Sequence, residues 1–138
     1  MFQIEREDKP MNLIKKVVTA AVFAIPLVVA HGESAMATQL NEASVLEYVT
    51  FTAKAGTDAE KLAQVAASIN NNLTNVSGFV DRYVSLQDDG IWVEVVFWKD
   101  LQSAKDGLQT FLADDRNKPF LDMVNADSVK ITYSDLKH

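Results

Sequence analysis

Residues 79–98 read FVDRYVSLQDDGIWVEVVFW, two extended runs joined by an Asp-Asp-Gly turn. Both runs are rich in β-branched and aromatic residues, which is typical of strands. An Asp-Gly pair between two such runs favours a tight hairpin, because glycine tolerates the positive φ that the turn needs. We therefore predict that residues 79–87 and 91–98 form two antiparallel strands.

Helices and outer strands are predicted on both sides of this hairpin. Residues 44–54 form a first strand, and Thr57 with Glu60 makes a capping box for a helix with apolar side chains at helical spacing. Asp100 can cap a second helix, Lys118-Pro119 begins a short helical turn, and residues 128–133 form the last strand. The order β-α-β-β-α-β predicts an α+β, ferredoxin-like fold, with a four-stranded antiparallel sheet and its helices on one face.

The strand at residues 91–98 has two different faces. One face is wholly apolar and consists of Ile91, Val93, Val95 and Phe97. The other consists of Trp92, Glu94, Val96 and Trp98. We expect the apolar face to pack against the helices, which leaves both indoles on an open sheet face. That predicts a partner surface, most simply a second copy of this chain packed sheet to sheet in a homodimer. The pattern does not decide which face of the sheet Glu47 lies on, because Glu47 is in register with apolar neighbours on the first strand.

Composition excludes several classes of function. The chain has 138 residues, 13 Lys and Arg against 19 Asp and Glu, and a net charge of −6, so it lacks the basic surface that nucleic acids require. Without Cys, and with His only at His31 and His138, it offers no thiolate, disulfide, Cys-based metal site or Ser/His/Asp triad. Its acidic residues do not have calcium-loop spacing, so we predict no metal site.

The N-terminal sequence has the pattern of a signal peptide. Lys15-Lys16 precedes the uncharged residues 17–30, and Ala35-Met36-Ala37 supplies a small-x-small cleavage site. We expect cleavage after Ala37, giving a leader at 1–37 and a periplasmic or secreted domain at 38–138 that is free of the membrane. An uncleaved membrane anchor is the alternative. Met11 is an alternative start, because a leader beginning there has a normal length.

The mature sequence resembles the antibiotic-biosynthesis-monooxygenase (ABM) type of domain in the dimeric α/β-barrel superfamily. The resemblance spans about Val45 to Tyr133 and is stronger in the order of elements than in any motif. The residues that carry it are Leu46–Phe51 leading to Gly56, Gly78-Phe79 with Arg82, Trp92–Trp98, Ser103-Ala104 and Pro119-Phe120.

This resemblance implies a dimer formed through the sheets and a cavity between the sheet and the helices or lid loops of each protomer. Members that need no cofactor oxidise phenolic or quinol-like substrates with molecular oxygen. Their third strand presents an amide and, four residues later, a Trp, positions that match Glu94 and Trp98 here, so the amide is replaced by a carboxylate. Haem-degrading members need a His ligand, and residues 102–124 contain none.

Each candidate site residue has a functional and a structural interpretation. Glu94 is a general base with Trp98 beside it, or else it forms an ion pair with Arg82 or lies at the dimer interface. A substrate would contact Tyr48, Tyr83, Trp92 and Arg82; alternatively the aromatics only pack and Arg82 makes a cross-strand salt bridge. The sequence therefore predicts either a cofactor-free monooxygenase of small aromatic molecules or a non-enzymatic ligand-binding or structural dimer.

Overall fold

The computed structural model describes residues 39–138. Its elements, in chain order, are β1 (Val45–Thr52), α1 (Ala59–Leu73), β2 (Phe79–Leu86), β3 (Ile91–Trp98), α2 (Leu101–Ala113), α3 (Lys118–Leu121) and β4 (Lys130–Asp135). All strand pairs are antiparallel, and the sheet order is β2-β3-β1-β4. The predicted α+β, ferredoxin-like fold is confirmed. Among residues 39–138, no helix is long and apolar enough to cross a membrane.

The helix starts follow local capping chemistry. Asp58 caps α1 by accepting a 2.8 Å hydrogen bond from the backbone N–H of Lys61, so the predicted cap at Thr57 is one residue too early. Asp100 caps α2 as predicted, accepting from the N–H of Ser103 at 2.7 Å. The short helix α3 begins at Lys118 with Pro119 in its first turn, where a missing N–H is harmless.

The predicted hairpin between β2 and β3 is present. Gly90 has a φ of +84°, and the N–H of Gln87 donates to the carbonyl of Ile91 at 2.8 Å. A bulge between Phe79 and Asp81 puts Phe79 opposite Trp98, with the two rings edge to face at 5.7 Å. The bulge shifts the alternation at the start of β2, so Phe79 lies beside Trp98 on the helix side.

The predicted faces of β3 are reversed in the structure. The helix-facing set is buried and consists of Trp92, Glu94, Val96 and Trp98. Trp92 lies opposite Phe51 on β1 and stacks on it at 6.1 Å, and Phe120 meets Phe51 edge to face at 5.6 Å. The prediction is wrong because it treated one acidic residue as a sign of exposure. The two indoles fill the space below the helices, and Arg82 neutralises the carboxylate between them.

The opposite face of the sheet carries no helix of the described domain. It presents apolar side chains from β1 and β3 beside two half-exposed tyrosines of β1 and β2. The residues concerned are Leu46, Tyr48, Tyr83, Val93, Val95 and Phe97. An apolar, aromatic sheet face therefore does exist, although it holds tyrosines and aliphatic residues instead of the indoles.

Candidate functional site

A cavity of about 340 Å³ lies between the helix-facing side of the sheet and the helices. The sheet contributes Glu47, Arg82, Glu94 and Trp98 to its wall. The rest of the wall is apolar, and α1, α2 and residues 120–131 contribute Ile69, Leu73, Leu108, Phe111, Leu112, Phe120, Leu121, Val124, Ala126, Val129 and Ile131. The volume lies at the lower end of the range for small-molecule sites, and an apolar wall with few polar groups is their usual composition.

Arg82 and Glu94 form a buried ion pair across β2 and β3. The side chain of Arg82 is 2% exposed and that of Glu94 10%, and Nη2 lies 2.9 Å from Oε1. Nε donates to Oε2 at 3.3 Å, whereas the Nη2–Oε1 contact is ionic and lacks hydrogen-bond geometry. Nη1 donates to the carbonyl of Ala66 at 2.7 Å and to Oδ1 of Asn70 at 2.9 Å. The ion pair named as one interpretation of these residues is therefore present, and Arg82 also ties the sheet to α1.

Glu47 is a second buried carboxyl in the cavity wall. The residue is 5% exposed, and its Oε2 accepts a 2.8 Å hydrogen bond from the indole N–H of Trp98. Burial raises the pKa of Glu47 from 4.5 to about 7; the Trp98 hydrogen bond lowers it, Glu94 raises it and Arg82 lowers it, each by less. Glu47 therefore exchanges a proton near neutral pH, which is the property that a general base needs.

Gly107 of α2 makes room for the indole of Trp98. A Cβ atom at this position would overlap the six-membered ring of Trp98, so only glycine lets helix and indole approach this closely. The indole is thereby held where its N–H reaches Glu47. In the sequence, Gly107 indicates only a weak point in a helix, and its role depends on a neighbour that is close in space.

Replacing Gly107 with Ala should destabilise the protein. Alanine favours a helix over glycine by about 1 kcal/mol, but overlap in a packed core costs about 1–3 kcal/mol, so we expect a net loss or no gain. Urea unfolding measures the free energy, and near-ultraviolet circular dichroism reports the displaced indole. Gln109→Ala, at an exposed position of the same helix, is the control. A Gly107→Ala protein clearly more stable than the wild type would contradict this account.

The structure brings together only some of the residues singled out from the sequence. Glu94, Trp98 and Arg82 line the cavity. Trp92 lies in the core against Phe51 and does not line the cavity. Tyr48 and Tyr83, 39% and 42% exposed, lie on the opposite sheet face, because strand alternation directs them away from the helices. The expectation was a cavity lined by some of these aromatic residues together with Glu94, and Trp98 is the one that meets it.

Glu47 is the residue that sequence reasoning missed as a functional candidate. It alternates with Val45, Val49 and Phe51, all buried, so the pattern alone already placed a carboxylate within an apolar stripe. The missing information was its neighbour across the strands. Glu47 pairs with Val96 and approaches Trp98 only through the β1–β3 register. Within residues 39–138, no three His, Asp or Glu side chains are grouped to hold a metal ion.

Comparison with solved structures shows which proteins share this fold. A mutant of SnoaB, a cofactor-independent oxygenase from Streptomyces nogalater, matches with a TM-score of 0.55 and 15% identity over 70% of this chain and 95% of its own. The monooxygenase ActVA-Orf6 of Streptomyces coelicolor, in complex with nanaomycin D, matches with a TM-score of 0.56 and 18% identity over 72% of this chain and 94% of its own.

The same fold also occurs in a protein of unknown function. NE2512 from Nitrosomonas europaea matches with a TM-score of 0.56 and 17% identity over 70% of this chain and 92% of its own. No protein-family model matches the sequence. No curated protein matches it either. At these identities the likeness establishes architecture, and function has to be argued from the site. The described domain has the ferredoxin-like fold of the antibiotic-biosynthesis monooxygenases.

Proposed function

We propose that this protein is a cofactor-free monooxygenase that acts on a small phenolic or quinol-like molecule. The observation that carries the proposal is the cavity: apolar walls enclose a carboxyl, Glu47, whose pKa is raised to about 7. A planar aromatic ring fits an apolar wall of this kind, and a base that titrates near neutral pH can take the proton of an acidic hydroxyl.

The base in this proposal is Glu47, not Glu94. Glu94 is already held by Arg82 at 2.9 Å, so its charge is stabilised by a neighbour before any substrate arrives. Glu47 has one hydrogen bond among the described residues, from Trp98, and its second oxygen is left to meet a substrate proton. Trp98 orients the carboxyl, and its indole forms part of the wall.

The reaction needs no electron donor besides the substrate. Glu47 takes the phenolic proton, and the resulting phenolate transfers electron density from its ring carbon to molecular oxygen, forming a C–O bond. The peroxide takes up the proton held by Glu47. The C–H bond of the same ring carbon then breaks and its electron pair forms the carbonyl as the O–O bond breaks; the released hydroxide takes the C–H proton and leaves as water. Overall, a phenol and oxygen give a quinone and water, and the substrate supplies all four electrons.

The similar structures support this proposal at the level of the fold. SnoaB is a cofactor-independent oxygenase, and ActVA-Orf6 is a monooxygenase with nanaomycin D bound. An ABM-like fold with an apolar cavity of about 340 Å³ is consistent with the same class of chemistry in this chain.

Glu47→Gln should abolish turnover while the fold is kept. A panel of mono- and dihydroxynaphthalenes is incubated with the protein and ¹⁸O₂, and the products are analysed by mass spectrometry. We expect one ¹⁸O atom per quinone for the wild type, a rate that rises with pH through about 7, and no product above background for the variant. Glu60→Gln, at an exposed position on α1, should keep full activity. Equal turnover in Glu47→Gln, or no oxidation of any panel member, would favour a non-enzymatic ligand-binding domain.

We further propose that the mature protein is an exported homodimer joined through the open sheet face. The apolar stripe of Leu46, Val93, Val95 and Phe97, with Tyr48 beside it, supports the dimer, and the leader pattern at residues 15–37, outside the described residues, supports export. Native mass spectrometry of the expressed protein should find two subunits that begin near Thr38. A monomer, or a chain that keeps residues 1–37, would contradict the corresponding half of this proposal.

A further inference from the structure

The charges in the cavity wall do not balance. Three ionisable side chains line it, namely Glu47, Arg82 and Glu94. Arg82 is committed to Glu94 through Nε and Nη2, and its Nη1 donates to Ala66 and Asn70. Because one guanidinium faces two carboxyls, the ionised cavity carries an excess negative charge, and that charge belongs to Glu47.

The hydrogen-bonding capacity that a bound molecule can reach is also one-sided. Oε2 of Glu47 accepts from Trp98, and among the described residues Oε1 has no hydrogen-bond partner. Nη2 of Arg82 and Oε1 of Glu94 lack hydrogen-bond partners too, but both atoms are buried and lie 2.9 Å from each other. The lining residues from α1, α2 and residues 120–131 are all apolar. The polar atom left for a bound molecule is therefore Oε1 of Glu47, an acceptor that needs a donor.

We propose that the cavity selects aromatic ligands that donate a hydroxyl hydrogen to Glu47, and that it rejects carboxylates of the same shape. This inference rests on the proposed function and names the charge class of its substrate. A hydroxyl supplies the missing donor and adds no charge. A carboxylate places a second negative charge beside Glu47 in a site without a free cation among its lining residues, where charges interact more strongly than in water.

The titratable and charged neighbours of Glu47 support this selection. They are Glu94 on β3, Arg82 on β2 and Tyr133, which lies opposite Glu47 on β4. The pKa of Tyr133 is raised by burial and by the negative charge of Glu47, so this phenol stays neutral and supplies no compensating charge. Lowering the pH from 8 to 5.5 should protonate Glu47 and weaken the rejection of carboxylates.

The experiment compares three probes that share one ring system: 1-naphthol, 1-naphthoate and 1-naphthylmethylammonium. Isothermal titration calorimetry of the full chain at pH 8 should show naphthol binding on the order of a hundredfold more tightly than naphthoate. Glu47→Gln should reduce that ratio at least about tenfold, and Glu60→Gln should leave it unchanged. Equal affinity for naphthoate, tighter binding of naphthoate than of the ammonium, an unchanged ratio in Glu47→Gln, or no binding of any probe would each overturn the proposal.

The binding and turnover measurements distinguish failure of the proposed selectivity from failure of the proposed monooxygenase activity. Selective naphthol binding without ¹⁸O incorporation would keep the selectivity and remove the monooxygenase. Oxidation of a hydroxynaphthoate as fast as naphthol would keep the monooxygenase and remove the selectivity.

Discussion

Glu47→Gln should make the protein more stable at pH 8, by up to about 3 kcal/mol, and leave it unchanged at pH 4. The gain has a single cause. A buried carboxylate is costly to ionise, and glutamine removes the charge while its amide oxygen can still accept the hydrogen bond from Trp98. The same substitution is expected to abolish turnover, so stability and activity should move in opposite directions.

The sign follows from the two protonation states. The pKa of Glu47 is 4.5 for a free side chain and about 7 in the fold. Below pH 4.5 the folded and unfolded chains both hold the proton, so Glu47 has no effect on the free energy of unfolding. Between pH 4.5 and 7 only the unfolded chain releases it, which lowers stability as the pH rises. Above pH 7 both are ionised and the loss stays constant.

Urea unfolding of both proteins from pH 4 to pH 8 measures this difference directly. The other carboxyl groups are common to wild type and variant, so their titration cancels in the comparison. Glu60→Gln should show no comparable pH-dependent gain. A stability difference between wild type and Glu47→Gln that is independent of pH would mean that the raised pKa of Glu47 is not what the substitution relieves.

Arg82→Ala should lower the free energy of unfolding by about 3–5 kcal/mol, which is a large part of the stability of a domain of this size. The substitution leaves Glu94 buried without its partner. The carbonyl of Ala66 and the side-chain oxygen of Asn70 lose the hydrogen bonds that Arg82 donates to them. The guanidinium, which lies 5.9 Å from the centre of the Phe120 ring, is lost as well. Removing one partner of a buried pair is costly because the remaining charge has lost both water and its counter-charge.

A double substitution keeps this prediction testable if Arg82→Ala fails to fold. Arg82→Met with Glu94→Leu replaces both charges by apolar groups, so it should be more stable than Arg82→Met alone. The control is Arg116→Ala, whose salt bridge to Asp114 involves a side chain that is 66% exposed, and it should have little effect. Urea unfolding compares the wild type with Arg82→Met, the double variant and Arg116→Ala. A double variant less stable than Arg82→Met would contradict the argument.

The two predictions assign opposite energetic roles to neighbouring carboxyls. Glu94 is needed because Arg82 is buried beside it, whereas Glu47 reduces stability above pH 7. Proteins commonly retain a destabilising group where function requires it. That contrast is the physical reason for choosing Glu47 over Glu94 as the base.

The order and approximate limits of the elements were predictable from the sequence because their signals are local. The Asp-Gly turn, the cap at Asp100 and the Pro119 helix start each depend on a few adjacent residues, and the structure has all three. The cap of α1 is Asp58, one residue after the predicted Thr57, since both side chains can accept the same hydrogen bond. The ion pair between Arg82 and Glu94 was also foreseen, as the consequence of pairing β2 with β3.

Local sequence patterns suffice to predict a small α+β domain, its strand and helix order, and the absence of cysteine chemistry. The buried face of β3 depends on tertiary contacts, because an alternating strand has two faces and burial of Glu94 requires a cation from β2. Tertiary contacts also decide the role of Glu47. The approach of Trp98, the space at Gly107 and the cavity itself require residues far apart in sequence to meet, and no local pattern encodes that meeting.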